Sequence, residues 1–172
     1  MLQRYVAFLR GVSPMNCKMQ ELRRSLEAAG LAEVRTLLSS GNVAFSAQPA
    51  IVPILEQQLE EAMATHLGRV FPCIVRPSGH LQALLNADPF AAFALPPNAK
   101  RIVTFLRRPH AGPVDLPITR DQASILKLEG TEVFSAYVPG DKGPVFMALL
   151  ERTFGTSITT RTLDTVRKCA AA

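Results

Sequence analysis

Tyr5–Leu9 carries no charged side chain on either side of the chain. In a strand, alternate residues point to opposite faces, so Tyr5, Ala7 and Leu9 share one face and Val6 and Phe8 the other. Both faces are apolar, and such a strand belongs at the centre of a sheet covered on both sides. Arg10 and Gly11 end it, Gly11 allowing a turn that a residue with a Cβ resists. Beyond Pro14, the spacing of Met19, Leu22, Leu26 and Ala29 makes one apolar stripe and predicts a helix. Asn16 or Ser13 is its expected N-cap, and Gly30 its expected C′ residue. The loop then offers amide N–H groups at a helix start between Arg10 and Lys18, an arrangement suited to an anion. In the plainer reading Arg10 and Lys18 are solvated and Asn16 only caps.

The next segments alternate in a fixed order. Glu33–Leu38 and Asn42–Ser46 read as strands joined by the turn Ser39-Ser40-Gly41-Asn42. A helix opened by Pro53 runs to Leu67, with Ile54, Leu55, Leu59, Ala62 and Met63 inward and Glu56, Gln57, Glu60 and Glu61 outward. Phe71–Arg76 is a fourth strand, its Pro72 pointing to an edge or to the strand's first turn. The order β-α-β-β-α-β is the ferredoxin-like unit. Two helices cover one face of such a sheet, so the second half of the chain is expected to cover the face holding Tyr5, Ala7 and Leu9.

Residues 78–172 begin with a short helix, His80–Asn86, capped by Ser78, and a Pro- and Ala-rich connector. Arg101–Leu106 is a strand and Arg107–Ile118 a proline-rich loop. Ala123–Leu128 and Glu132–Val138 form a hairpin across Glu129-Gly130. A helix over Val145–Phe154, a short strand over Thr156–Thr160 and a helix over Leu163–Ala170 follow. This order echoes the first unit with a loop in place of its first helix, and rests on element order alone. The expected fold is α+β, two ferredoxin-like (βαββαβ-type) halves packed together, residues 1–77 and 78–172, the second irregular.

The 172 residues are 48% hydrophobic, enough for a core, with a net charge of +5 spread as pairs rather than a basic tract. No apolar run approaches the ~20 residues of a membrane span, and Arg4 and Arg10 bracket too short a run for a signal peptide. The three cysteines, Cys17, Cys73 and Cys169, are scattered and form neither a disulfide framework nor a zinc pattern. A reducing cytoplasmic setting follows as the expectation. The histidines show no ligand spacing, so neither a metal nor a cofactor is expected.

Three stretches, Phe8–Met19 (FLRGVSPMNCKM), Val34–Phe45 (VRTLLSSGNVAF) and Thr159–Val166 (TTRTLDTV), together resemble a mostly bacterial family, domain of unknown function sixteen ninety-seven. The resemblance spans nearly the full chain and implies paired ferredoxin-like halves, but no reaction. The chain departs from the family pattern twice. Val12-Ser13-Pro14-Met15 replaces a glycine-containing loop, and Thr162-Leu163-Asp164 stands where the pattern has an aromatic. Both changes weaken a phosphate- or nucleotide-binding reading.

The expected function is binding of a small anionic or phosphate-bearing ligand. One candidate cluster is Arg10, Asn16 and Lys18; the other is Thr160, Arg161 and Lys168, with Thr159 and Thr162 beside them. In the plainer reading of the second, Thr160 or Thr162 caps a helix and Arg161 is a surface charge. Gly11, Ser40, Gly41 and Asn42 read as structural turn residues. The turn and the Arg10–Lys18 loop are expected at opposite ends of the sheet. Cys17, early in a helix and next to Lys18, could have a lowered pKa, but no histidine, paired carboxylates, Ser-His-Asp or P-loop pattern accompanies it, and no residue is assigned a catalytic role. RNA stacking on Tyr5, Phe8 or Phe45 is discounted in favour of core packing. Nucleic acid and membrane are not expected partners, and monomer and homodimer both stay open. The rival function is a structural or protein-interaction module without a small-molecule site.

Overall fold

In the first unit, strand β1 (Gln3–Leu9) is central, as its two apolar faces demand. It pairs antiparallel with β3 (Asn42–Ala47) and β4 (Cys73–Pro77), and β2 (Ala32–Leu37) completes the sheet order β2-β3-β1-β4. Helices α1 (Met19–Ala28) and α2 (Val52–His66) are the two crossovers. The computed structural model describes residues 1–140 and 145–172. These divide into one unit of Met1–Leu84 with Arg167–Ala172 and a second of Leu85–Val166.

Tyr5, Ala7 and Leu9 do not lie on the face away from the helices. They join Leu22, Leu26, Leu55, Leu59 and Met63 in the helix-side core, and Val6 and Phe8 take the other face. Both sets are buried. α1 closes as expected: Gly30 sits at φ +92, with Gly30 N–H bonded to Glu27 O and Leu31 N–H to Leu26 O, which satisfies the last carbonyls. Its start differs. Lys18, not Asn16 or Ser13, holds the N-cap place, and no side chain caps it.

The inward stripe of α2 is rotated from the expected one. Ile54 is 47% exposed, while Glu56 is fully buried. The cause is the free edge of β4, whose amides have no strand partner on that side. Glu56 Oε2 accepts from Val75 N (3.0 Å), and Glu60 Oε2 from Cys73 N (3.1 Å). Two carboxylates one helical turn apart thus close an edge that would otherwise recruit another strand.

β4 runs straight into α3 (Ser78–Asn86). Ser78 is inside that helix, and its hydroxyl makes no hydrogen bond, so it is not the expected cap. The division expected after residue 77 would assign α3 to the second half. Instead most of α3 counts with the first unit, where Gln82 Nε2 donates to Ala170 O (3.2 Å) and Arg4 Nε to Ala172 O (3.3 Å).

The second unit has β5 (Lys100–Leu106), β6 (Ile118–Arg120), β7 (Ala123–Glu129), β8 (Glu132–Tyr137), α4 (Val145–Phe154), β9 (Ile158–Thr162) and α5 (Leu163–Ala170), the last running on into the first unit. Its sheet order is β6-β7-β8-β5-β9. Without the short β6, this is the order of the first sheet, so the echo in element order is a true echo of topology. The sequence carries a trace of it that the expectation lacked. Phe8-Leu9-Arg10 recurs as Phe105-Leu106-Arg107, with matching backbone bonds. Leu9 N donates to Gly41 O and Leu106 N to Thr131 O; Arg10 N donates to Pro72 O and Arg107 N to Ser157 O. α4 covers one face of this sheet with Phe146, Leu149 and Leu150. Phe90 meets Phe134 edge-on (5.8 Å) on the other.

Candidate functional site

Arg10 follows the last residue of β1, half-buried, and Gly11 turns the chain at φ +84. The loop beyond is organised by Asn16. Its Oδ1 accepts from Ser13 N (2.9 Å), and its Nδ2 donates to Gly11 O (2.8 Å). Ser13 O in turn accepts from Asn16 N and Cys17 N. Both ends of the Asn16 amide therefore hold the turn, each through one of its two hydrogen-bonding positions. Lys18 begins α1, exposed, with the first-turn amides beside it unengaged by any capping side chain. Glu21, in that same first turn, is the acidic residue nearest the helix start in sequence.

The loop and the Ser39–Asn42 turn meet; they are not at opposite ends of the sheet. β1 and β3 are antiparallel with Phe8 opposite Asn42, so the start of β3 lies beside the end of β1. Gly41 O takes the Leu9 amide at 2.8 Å. A Cβ on Gly41, which has φ +87, would stand 2.9 Å from Val12 Cβ. Asn42, fully buried, donates from Nδ2 to Leu37 O and Ser40 Oγ, both 3.0 Å. Gly11, Ser40, Gly41 and Asn42 thus act as turn residues, and the turn they build is one wall of the loop.

A third segment joins them. Pro72 O accepts from Arg10 N at 2.9 Å. Arg69 lies over the Phe71 ring, 5.0 Å from its centroid. Its charge also reaches Cys17, whose thiol is pushed up by burial and by Glu21 while Arg69 acts the other way. A Cys17 nucleophile with a lowered pKa is therefore corrected: burial outweighs the cation. Arg69 was missed by sequence reasoning, although strand order alone puts the start of β4 next to the end of β1. Arg10, Lys18 and Arg69 thus belong to segments that end together at one end of the sheet.

The second candidate cluster does not converge. Thr160 and Arg161 are consecutive on β9 and point to opposite faces. Thr160 Oγ1 lies toward α4, 3.8 Å from Met147 Sδ. Arg161 is buried, not a surface charge, and its Nη1 donates to Thr159 Oγ1 and Thr160 O, both 2.7 Å. Thr162 caps α5 by accepting from Thr165 N (3.2 Å). Lys168 is exposed on α5, beyond the boundary between the units.

Tyr5 and Phe45 stack on each other at 5.7 Å in the helix-side core and are buried, so neither presents a face to a base. Among the described residues no group of three or more His, Cys, Asp or Glu is placed to hold a metal, and no helix is long and apolar enough to cross a membrane. A cleft of about 710 Å3 lies elsewhere in the first unit, lined by Leu2, Gly30, Ser46, Gln58, Glu61 and His66 among others. It receives the C-terminal end of α1 and the Glu61 carboxylate, both unfavourable to an anion.

A family model described as protein of unknown function (DUF1697) matches residues 2–134. No curated protein matches the chain. A solved structure described as conserved bacterial protein SP0830 from Streptococcus pneumoniae is similar, with a TM-score of 0.72 over 99% of this chain and 98% of that one, at 20% identity. At that identity the likeness speaks for the fold.

Proposed function

The chain belongs to the family of proteins of unknown function DUF1697, and from that premise we propose that it binds a small anionic or phosphate-bearing ligand at the loop end of its first unit. The observation that carries the reading is the start of α1, where Lys18 occupies the N-cap place and, among the described residues, no side chain caps the helix. Amides at a helix start bind oxyanions directly, and the helix dipole favours negative charge there. Lys18 and Arg69 add positive charge, and Arg10 is anchored by its backbone N–H to Pro72 O. The backbone ties to Gly41 and Pro72 hold the loop in place before a ligand arrives, which lowers the ordering cost of binding. The role is binding; no reaction is assigned. All three cysteines are free and buried, which suits the cytoplasmic setting we propose.

A thermal-shift screen at low salt against phosphate, nucleotides and sugar phosphates tests this. A ligand at ~10 times its Kd stabilises by about 1.4 kcal/mol, a rise of roughly 3–6 °C for a chain of this size. The rise should be confined to one ligand class and should shrink in Lys18→Ala with the unliganded melt unchanged. No rise in any class, or an equal rise in Lys18→Ala, overturns the site.

One observation favours the rival protein-interaction role. Met15, Leu38 and Val70 are 94%, 49% and 47% exposed on the three segments that meet at this end. Light scattering separates monomer from homodimer. A dimer dispersed by Met15→Asp would transfer the surface to that role.

A further inference from the structure

The α4-facing layer of the second sheet contains two hydroxyls that the fold leaves unanswered. Thr104 on β5 and Ser135 on β8 are fully buried, and among the described residues neither Thr104 Oγ1 nor Ser135 Oγ has a hydrogen-bond partner. Register places them together. Thr104 and Ile102 share one face of β5, Ser135 lies opposite Ile102, and Thr160 of β9 lies opposite Thr104. Three hydroxyls from three adjacent strands thus fall on one patch beneath α4. Thr160 is half-buried at the sheet edge, and its hydroxyl turns to a thioether sulfur at 3.8 Å, a weak acceptor.

The first unit shows what this layer looks like when rings fill it. The matching registers make Ala7 equivalent to Thr104, Phe45 to Ser135, Val75 to Thr160 and Tyr5 to Ile102. There the Tyr5 and Phe45 rings fill the layer. In the second unit an isoleucine and a serine stand in their places, so hydroxyls replace carbon where side-chain volume is also lost. Polar lining and room are the two conditions for a buried water, which needs two to four partners.

We propose that Thr104, Ser135 and Thr160 form an internal hydration site, in which an ordered water bridges Thr104 Oγ1 and Ser135 Oγ and takes Thr160 Oγ1 as its third partner. The site keeps a polar layer inside the second unit at the place where the first is sealed by aromatics. Exchange with bulk water passes the half-buried Thr160 at the sheet edge.

Water-selective NOE spectroscopy on the labelled full-length protein tests it, with Thr104→Val as the paired variant because valine keeps threonine's shape. The expected result is a long-lived water cross-peak at the Thr104 and Thr160 methyls, lost in Thr104→Val, with that variant melting several degrees lower. Absence of the cross-peaks, or a Thr104→Val melt that is unchanged or higher, overturns the site, since deleting an unbridged hydroxyl relieves the protein of an unpaired group. Ser135→Ala replaces the valine variant if the latter does not fold, and the same signs apply.

Discussion

The two sheets share an order and a register, yet they solve the same layer in opposite ways. In the first, two helices and a stacked Tyr5–Phe45 pair fill the centre of the helix side with apolar surface. In the second, a proline-rich loop and β6 stand between β5 and β7 where the first unit has α1. The main aromatic pair there has moved to Tyr137 and Phe146, 4.8 Å apart. The loop ends differ in parallel. The first residue of β3 is Asn42, a buried amide that donates into its own turn, and the first residue of β8 is Glu132, a buried carboxylate whose Oε2 accepts from Thr131 Oγ1 at 2.6 Å. The two loop ends thus place different buried polar groups at the same position of the fold. The same topology therefore carries different side chains at its two loop ends, and the anion site proposed above uses the first.

The largest test of this contrast is the aromatic layer. Phe45→Ala should cost about 3–5 kcal/mol in urea unfolding, because the removed ring leaves a cavity that stacked neighbours fill poorly. If the cost is below about 1 kcal/mol, the first unit's layer is not sealed by aromatics, and the contrast with Ser135 fails.

The turns come next. Gly41 and Gly130 both have positive φ, +87 and +61, but only Gly41 is crowded. Gly130→Ala should cost about 1–2 kcal/mol for the left-handed backbone alone. Gly41→Ala carries that cost plus about 1–3 kcal/mol for pressing a Cβ against Val12 and Leu9. The gap between the variants measures how tightly the turn is bound to the loop. Equal costs would mean that the loop yields freely and is not organised in advance.

Much of this was legible in the sequence. Strand β1, the element order and the turn residues Gly11, Gly41 and Asn42 follow from periodicity and backbone chemistry, because a central strand and a tight turn restrict residue type. What failed depended on tertiary partners. Glu56 looked like surface because its helical neighbours are polar, and only the unpaired amides of β4 explain its burial. Asn16 looked like a cap because its side chain suits that role; the actual partners, Ser13 N and Gly11 O, lie within the loop itself. Arg161 looked free because the strand was expected to end at Thr160; β9 runs on to Thr162, and alternation along it turns Arg161 inward. The meeting of the loop with the Ser39–Asn42 turn needed only the antiparallel direction of β3, and here the error was geometric rather than a lack of signal.

The smallest effect bears most directly on function. α5 and α1 both follow strands, α5 directly and α1 after the loop, and they begin differently: Thr162 caps α5, while α1 has Lys18 and no capping side chain. Thr162→Ala should cost about 1 kcal/mol. Lys18→Ser should work in reverse, raising stability by about 0.5–1 kcal/mol, since a serine hydroxyl can take the amide at the third helical position. A serine there removes a cation and occupies an amide that an anion would use, so the same substitution should abolish ligand-induced stabilisation. A chain selected for stability alone would gain from the serine; a lysine there is explained if the open amides serve a ligand. Should Lys18→Ser leave both stability and ligand response unchanged, the first-turn amides are already satisfied by solvent, and the loop end has no special claim on anions.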